Sequence, residues 1–409
     1  MIKIKEGKEK NLMRHHPWVF SGAMEEPLPL VAGTERVETF DGRFIAWGFY
    51  DPESHIQLRL ASWDEKTVPD SSWWEKTVRQ AVLRRRSFFI PSSDTNTFRL
   101  IHGEADFLPG VTADVYNRLI RIIISARIAF EFREAVVNTL ASLLKPDMII
   151  LNTDQAFCGI EHMKEVTEYY KVSKDGKSTA FIPDKPLEEI RIRESGIYYG
   201  LVPGSGQKSG FFCDQRENRL RVAKYAKDAV VFDGCSYTGS FSLHALRSGA
   251  KRVDAFDISS DAVHRLLSNV HLNEEMGVLE KGSTERVKAQ KGDIFEVLRS
   301  IPSNTYDLMI LDPPKLAKTS KALEEAKKGY KDLNRLAMTK IKNGGVLVTC
   351  SCSGSLTRED FRTVLSWSAK DAGVEVQVLE TLGQAQDHPI RLYFPESEYL
   401  KVFILRVIK

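Results

Sequence analysis

From about residue 190 onward the chain alternates short apolar runs with helix-like stretches, and this alternation limits the fold more than any other feature of the sequence. Ala229-Val230-Val231-Phe232, Arg252-Val253-Asp254-Ala255-Phe256, Leu308-Met309-Ile310-Leu311 and Val346-Leu347-Val348 read as strands, with helices expected at 240–249, 259–276 and 320–341. Strands that alternate with helices predict a doubly wound parallel sheet. Ligands of such sheets bind beyond the C-terminal ends of the strands, so the residues that follow each apolar run are the candidates for chemistry.

The first strand runs into Asp233-Gly234-Cys235-Ser236-Tyr237-Thr238-Gly239, and Ser240-Phe241-Ser242-Leu243 opens a helix at once. Glycine lets the backbone approach a ligand closely. The spacing lacks the middle glycine of the dinucleotide fingerprint, and no lysine follows Gly239, which excludes a nucleoside-triphosphate P-loop. A strand, an acid and a glycine-bounded turn remain, the pattern of S-adenosylmethionine sites, with Asp233, Gly234, Ser236 and Gly239 as its candidates; a plain tight turn is the bland alternative. The second strand ends at Asp257-Ile258, where an acid can accept both hydroxyls of a ribose. Gly292-Asp293-Ile294 then offers an acid and an apolar side chain suited to an adenine amino group and ring face. Each acid singly is more often a cap or turn residue. Together, at successive strand ends, they argue for an adenosine-bearing ligand.

The fourth strand delivers Leu311-Asp312-Pro313-Pro314-Lys315, whose paired prolines fix a rigid loop and hold Asp312 stiffly, a further candidate for the cofactor site. Methyltransferases that modify exocyclic amines place an aromatic residue directly after the second proline, and Lys315 stands there, which weighs against amine chemistry. The last apolar run opens into Thr349-Cys350-Ser351-Cys352-Ser353-Gly354. Two small cysteines can simply fill a core, since free cysteine is among the most buried residue types. Beside a methyl donor they acquire another reading. Carbon 5 of a pyrimidine is a poor nucleophile, and a thiolate added at carbon 6 makes it enamine-like. Such a thiol needs a local positive group or a helix N-terminus to ionise, for which Lys315 and Arg216 are candidates.

Upstream the pattern differs. Val37-Glu38-Thr39-Phe40 and Arg43 to Tyr50 flank Asp41-Gly42 as a hairpin, Ile56 to Ala61 gives a further strand, and residues 1–71 are expected to form a small β-barrel or sheet. The loop Arg14-His15-His16-Pro17-Trp18 lacks a third metal ligand and reads as a structural or RNA-contacting loop. Trp74, Val78 and Val82 recur at helical spacing in a helix expected to end before Pro91. Strands at Val111 to Tyr116, Leu119 to Ala126 and Met148 to Asn152, a helix from about Phe130 to Leu144, and a hairpin tip at Ser173 to Ser178 complete a central α+β region, 72–188.

A chain of 409 residues with 42% hydrophobic and 28% charged residues is an ordinary globular protein of two or three domains, not a disordered or fibrous one. The net charge of +3 neither proves nor excludes a polyanionic partner; Arg84-Arg85-Arg86 and the lysines between Lys315 and Lys331 offer a phosphate-binding face or, more commonly, a solvated helix surface. Five scattered cysteines form no disulfide framework and no zinc-ligand spacing, which fits a reducing cytoplasm, and no metal is expected. The charged N-terminus resembles no signal peptide, and the apolar runs fall short of a membrane span.

The motifs in order resemble the 23S rRNA cytosine-5 methyltransferases of the large-subunit methyltransferase I type, over nearly the whole length. His16-Pro17-Trp18-Val19-Phe20-Ser21-Gly22-Ala23 is similar to the family's PUA module, and Gly103-Glu104-Ala105-Asp106-Phe107-Leu108-Pro109-Gly110 to its central signature, with Phe107 in place of a glycine. Gly210-Phe211-Phe212-Cys213-Asp214-Gln215-Arg216-Glu217-Asn218-Arg219 resembles the segment that closes the cofactor site, implying a role for Gln215. Asp312 to Lys315, Asp387-His388-Pro389, Pro395-Glu396 and Tyr399-Leu400-Lys401 also match, while Cys350 and Leu316 depart from the pattern. Ser351-Cys352-Ser353-Gly354 resembles the family's nucleophile motif and implies Cys352 as nucleophile, with Asp312 bonding the base at N3 and Cys350 packing only. The resemblance implies a β-barrel PUA-like domain, a central α+β domain and a C-terminal Rossmann-like methyltransferase domain (189–409). It also implies S-adenosylmethionine as cofactor and large-subunit rRNA as partner, without a membrane, and it leaves room for a homodimer. Two rivals remain: methylation of an amine or another base carbon without a covalent step, and a non-catalytic RNA-binding assembly factor.

Overall fold

The computed structural model describes residues 1–88, 92–204, 210–316 and 322–409. Pro91, and residues 320 and 321 at the start of the last expected helix, lie outside the described residues. Contacts divide the chain into two units: one of 1–189, 202–211 and 386–397, the other of 190–201, 212–385 and 398–409.

In the first unit, β1 (Ile2–Ile4), β2 (Trp18–Val19), β3 (Gly33–Thr39), β4 (Phe44–Tyr50) and β5 (Leu58–Ser62) form a sheet in the order β1-β3-β4-β5-β2, with the short helix α1 (Lys10–Met13) between β1 and β2. The expected hairpin is present: Gly42 takes φ of 85°, which the tight Asp-Gly turn requires, and Thr39 N donates to Arg43 O at 2.9 Å. The histidine loop packs onto neighbouring side chains. His15 stacks on Trp63 at 4.6 Å, and His16 faces the Glu396 carboxylate at 3.3 Å.

Helix α2 (Ser71–Phe88) buries Trp74, Val78 and Val82 as their spacing predicts. Its Trp74 ring lies 5.5 Å from Phe49 of β4, so Phe49 and Ala61 join the core of the central region, while Ile2, Ile4, Val37 and Leu58 belong to a separate core of the N-terminal sheet. A second sheet runs β11-β10-β9-β8-β7-β6, from β6 (Thr97–His102), β7 (Val111–Tyr116), β8 (Leu119–Ile124), β9 (Met148–Thr153), β10 (Thr167–Val172) and β11 (Ser178–Phe181). The single helix expected near 130–144 is two, α3 (Arg127–Glu131) and α4 (Arg133–Leu144), broken at Phe132, whose ring stacks on Trp74 at 5.4 Å. The four-residue α5 (Gln155–Cys158) follows β9. The arginine run is not a uniform solvated face: Arg85 is 5% exposed and ion-pairs with buried Asp106.

The second unit contains the doubly wound sheet. Its order is β16-β15-β14-β17-β18-β20-β19, with β14 (Val230–Gly234), β15 (Arg252–Asp257), β16 (Val287–Lys291), β17 (Leu308–Leu311) and β18 (Val346–Ser351) parallel. β20 (Lys401–Ile408) runs antiparallel between β18 and β19 (Glu375–Leu382). Helices α7 (Ser240–Arg247), α8 (Ser260–Glu275), α9 (Ile294–Ser300), α10 (Leu323–Lys340) and α11 (Arg358–Ala372) connect the strands. α6 (Arg216–Ala223) precedes β14, and a hairpin of β12 (Ile190–Glu194) and β13 (Ile197–Leu201) forms a separate two-stranded sheet. The core holds Phe232, Met309, Tyr330, Leu347, Phe361 and Phe403.

Candidate functional site

The site grows from the C-terminal tips of β14, β17 and β18. After Gly234 the chain turns sharply, with positive φ at Cys235 (62°), Tyr237 (49°) and Gly239 (84°) before α7 begins. Two of these are non-glycine residues held in a sparsely populated conformation, which persists only where the surroundings impose it. A side chain at Gly239 is ruled out twice over, by its φ and by Leu266, whose Cγ would lie 2.4 Å from an added Cβ. At Gly234 an added Cβ would meet Ile294 Cδ1 at 2.6 Å, so the first and third strand tips converge there.

Around this turn lie buried polar atoms without protein partners among the described residues. Asp233 is 1% exposed; its Oδ2 accepts a hydrogen bond from Ser242 Oγ at 2.6 Å, while Oδ1 has none. Ser236 Oγ and Thr238 Oγ1 are likewise buried and unmatched. Buried polar atoms in folded proteins are nearly always hydrogen-bonded, so a cluster of exceptions points to a ligand. Burial pushes Asp233 up to about 6.

The remaining acids converge on the same place. The Cys235 thiol is pushed up by burial and by the charges of Asp312, Asp257, Asp233 and Asp293 together. Among the described residues, no three His, Cys, Asp or Glu side chains are grouped to hold a metal ion. Four acids whose charges act on one turn favour a positively charged ligand there. Asp257 also braces the turn, its Oδ2 accepting from Tyr237 N at 2.8 Å and its Oδ1 from Ser259 N at 2.9 Å. Asp293 caps α9 through Phe295 N at 2.9 Å. Asp293 is thus a helix cap and Asp257 a turn acid, each alongside any ligand role. Ile258 is 70% exposed beside Asp257, and Ile294 is half-buried.

Gln215 lies in the turn before α6 and is 2% exposed. Its Oε1 accepts from Asn218 Nδ2 at 2.6 Å, and its Nε2 reaches no partner at good hydrogen-bond geometry. That amide lies close enough to Asp312 and Cys350 to favour their ionised forms. For Asp312, burial and then the Asp214 charge dominate and push the carboxyl up to about 7. Parallel pairing of Leu311 with Thr349 brings Asp312 level with Cys350 on the next strand.

The two cysteines differ sharply. Cys350 is fully buried, and burial, reinforced by Asp312, raises its thiol far above the ordinary range. Cys352 follows the last residue of β18 and is partly exposed. Around it runs a polar network the sequence reading did not assign. Ser351 Oγ donates to Tyr330 Oη at 3.0 Å, Tyr330 Oη and Ser353 Oγ are 3.2 Å apart, and Lys401 Nζ donates to Ser353 O at 2.6 Å. The available signal was a lysine at the head of the apolar run Val402-Phe403-Ile404-Leu405. Of the cations suggested for the thiol, Arg216 is buried against Glu217 at 3.2 Å and Lys315 is exposed.

Comparison with known proteins was made against this geometry. Residues 2–63 match the model of a PUA-like domain, and residues 99–389 that of an S-adenosylmethionine-dependent methyltransferase. The ribosomal RNA large subunit methyltransferase I of Pseudoalteromonas translucida is 34% identical over 411 residues, covering 99% of each chain. The protein of the same name from Shewanella frigidimarina is 32% identical over the same shares. Among solved structures, a chain assigned as a methyltransferase and complexed with SAH matches with a TM-score of 0.81 at 20% identity, covering 99% of this chain and 100% of that one. A chain from Streptococcus mutans assigned as a SAM-dependent methyltransferase gives 0.79 at 20% identity, over the same shares. At that identity the likeness is one of fold.

Proposed function

The chain belongs to the ribosomal RNA large subunit methyltransferase I family of S-adenosylmethionine-dependent enzymes, and from that premise we propose that it methylates carbon 5 of a cytosine in 23S rRNA through a covalent cysteine. The observation that supports the finer reading is that adjacent strand tips carry a carboxyl whose pKa is near neutrality, Asp312, and, two residues beyond the Cys350 with which it lies level, a partly exposed thiol, Cys352.

The residues fit the cofactor. Unmatched Asp233 Oδ1, Ser236 Oγ, Thr238 Oγ1 and Gln215 Nε2 supply hydrogen-bonding groups, and the surrounding carboxylates suit a ligand with sulfonium and ammonium charges. In this reading Gly234 and Gly239 leave room for it, Asp257 and Ile258 take its ribose side, and Asp293 and Ile294 its adenine. Bound there, S-adenosylmethionine supplies an electrophilic methyl group.

The protein's part is to make the base receptive. With its pKa near 7, Asp312 can present a proton to N3 of cytosine, drawing electron density from the ring. Cys352 Sγ adds at carbon 6, and carbon 5 becomes the nucleophile. After methylation, loss of the carbon 5 proton and departure of the thiolate restore the aromatic ring. The PUA-like region (1–71) and the central region (72–188) hold the RNA mainly through phosphates and shape, and the methyltransferase region (189–409) receives a base taken out of its stack.

The deciding experiment is incubation of unmodified 23S rRNA with methyl-labelled S-adenosylmethionine, followed by base-resolution mapping. Label on carbon 5 of a cytosine is expected; label on an adenine, or on an exocyclic amine, refutes the assignment. Cys352→Ala should abolish turnover while calorimetric cofactor binding persists.

A further inference from the structure

Lys401 opens β20 at the point where it pairs with Ser351, the residue before Cys352. It is 2% exposed, and no carboxylate pairs with it among the described residues. A buried lysine without a counter-ion is costly, because burial disfavours the charged form. Its surroundings show how it is held. Nζ donates to Ser353 O at 2.6 Å and to Tyr399 O at 2.8 Å, using two N–H groups and leaving one tetrahedral position for a third hydrogen or a lone pair. Glu398, the carboxylate whose charge acts on this amine, is already paired with Arg358 at 2.7 Å.

We propose that Lys401 is the positioning residue for the nucleophile: its neutral amine takes the Cys352 Sγ proton, and the ammonium so formed holds the thiolate as an ion pair. The S–H bond breaks with its electron pair left on sulfur, the proton forms the third N–H bond on Nζ, and nothing is oxidised or reduced. The proposal rests on the reading of Cys352 as nucleophile.

The electrostatics agree with this geometry. Burial, then Arg358 and Lys315, lower Lys401 to about 8, while Cys352 and Glu398 pull the other way. The neutral amine is thereby accessible near physiological pH. Tyr330, the other titratable group beside this network, is raised by burial and by Cys352 and stays a neutral hydrogen-bond partner of Ser351 and Ser353.

The test reads the thiol and not turnover. Iodoacetamide alkylation of the full-length protein is followed against pH, with the adduct localised to Cys352 by fragment-ion mass spectrometry. The wild-type profile is expected to lie below the ~8.5 of a free thiol. Lys401→Met should raise it by at least about one unit, slowing alkylation at pH 7 roughly ten-fold, and Lys401→Arg should restore it. An unchanged profile in Lys401→Met overturns the proposal, and so does an ordinary profile in the wild type. Should Lys401→Met fail to bind S-adenosylmethionine and so be misfolded, 15N-lysine NMR of wild type and Cys352→Ala decides. Removing the thiol should lower the Lys401 pKa, and no change refutes the pairing. Retained methylation by Cys352→Ala would defeat the covalent reading while leaving the alkylation result standing, so the two failures are distinguishable.

Discussion

Asp312 is a carboxyl whose ionisation the fold shifts up to near neutral pH, and the consequence can be measured without substrate. Burial and Asp214 raise it from 3.8 in the unfolded chain to about 7, so between those values the native state holds a proton that the unfolded state has released. Stability contributed at this site is therefore highest below pH 4 and falls as pH rises through the window to about 7. Asp312→Asn removes that slope. We expect the variant to gain stability relative to wild type on going from pH 5 to pH 8 in urea denaturation, with Asp233, raised to about 6, still contributing a smaller slope of the same sign. Equal pH dependence of the two proteins would refute the shift. Its catalytic counterpart is a fall in kcat of about 10²-fold or more in Asp312→Asn, because an amide cannot transfer a proton to N3. The neighbouring pair gives a sharper contrast. Cys350→Ala should retain methyl transfer, since a fully buried thiol with a raised pKa has no thiolate to offer, whereas Cys352→Ala should not.

At the scale of elements, what was legible in the sequence follows from where each strand sits. β14, β17 and β18 are covered on both faces, so they appear as unbroken apolar runs, and their tips carry Asp233, Asp312 and Cys352 into view together. β16 lies at one edge of the sheet and reads Val-Lys-Ala-Gln-Lys; β19 lies at the other, is largely solvent-facing and mixes apolar with polar residues; neither shows the unbroken apolar run of the central strands. The β12–β13 hairpin escaped for a different reason, since it is held by long-range side-chain bonds from α8. Asn273 Oδ1 accepts from Tyr198 N at 2.9 Å while its Nδ2 donates to Tyr198 O at 2.7 Å, and Asn269 Oδ1 accepts from Gly200 N at 2.9 Å. Asn273 is fully buried and acts as a missing strand would, presenting one acceptor and one donor to a single residue. Asn273→Ala removes both partners of the Tyr198 backbone and should cost about 2–6 kcal/mol, from about 1–3 kcal/mol for each of the two groups left unmatched. Hydrogen exchange should report it as faster exchange confined first to 190–201. Undiminished protection there would mean that the hairpin is held by its own pairing and by Arg219, whose guanidinium bonds buried Glu194 at 2.6 Å.

At the scale of the whole molecule, the chain leaves the second unit after Ala385 and rejoins it at Glu398, and residues 386–397 belong to the first unit. No periodicity announces this excursion, because it is held by charge and not by an apolar stripe. Asp387 is fully buried: Oδ2 accepts from Arg99 N at 2.8 Å, Oδ1 meets His388 Nδ1 at 2.9 Å, and its backbone carbonyl accepts from Arg85 Nη2 at 3.0 Å. Arg85 in turn pairs with Asp106, whose carboxylate accepts from His102 N at 2.8 Å, and the His102 ring lies 5.2 Å from His388. The resemblance picked out Asp387-His388-Pro389 without a role, and the network supplies a structural one. Deleting one member of a buried charged network leaves the others uncompensated, at about 3–5 kcal/mol. Asp387→Ala should therefore open 386–397 to limited proteolysis and lower the denaturation midpoint of the first unit. The same network predicts a pH response opposite in sign to that of Asp312. Burial first, with His388, Arg99 and Arg85 adding to it, lowers His102 well below 6.5, so below that pH the unfolded chain binds a proton that the native state refuses. Stability at this site is then lost as pH falls through about 6.5. Proteolysis of 386–397 should accelerate between pH 6.5 and 5 in the wild type, and His102→Asn, which cannot take up the proton in either state, should flatten that dependence. Cleavage that stays equally slow across this range would show that the network, and not the neutral imidazole, sets the stability of the segment.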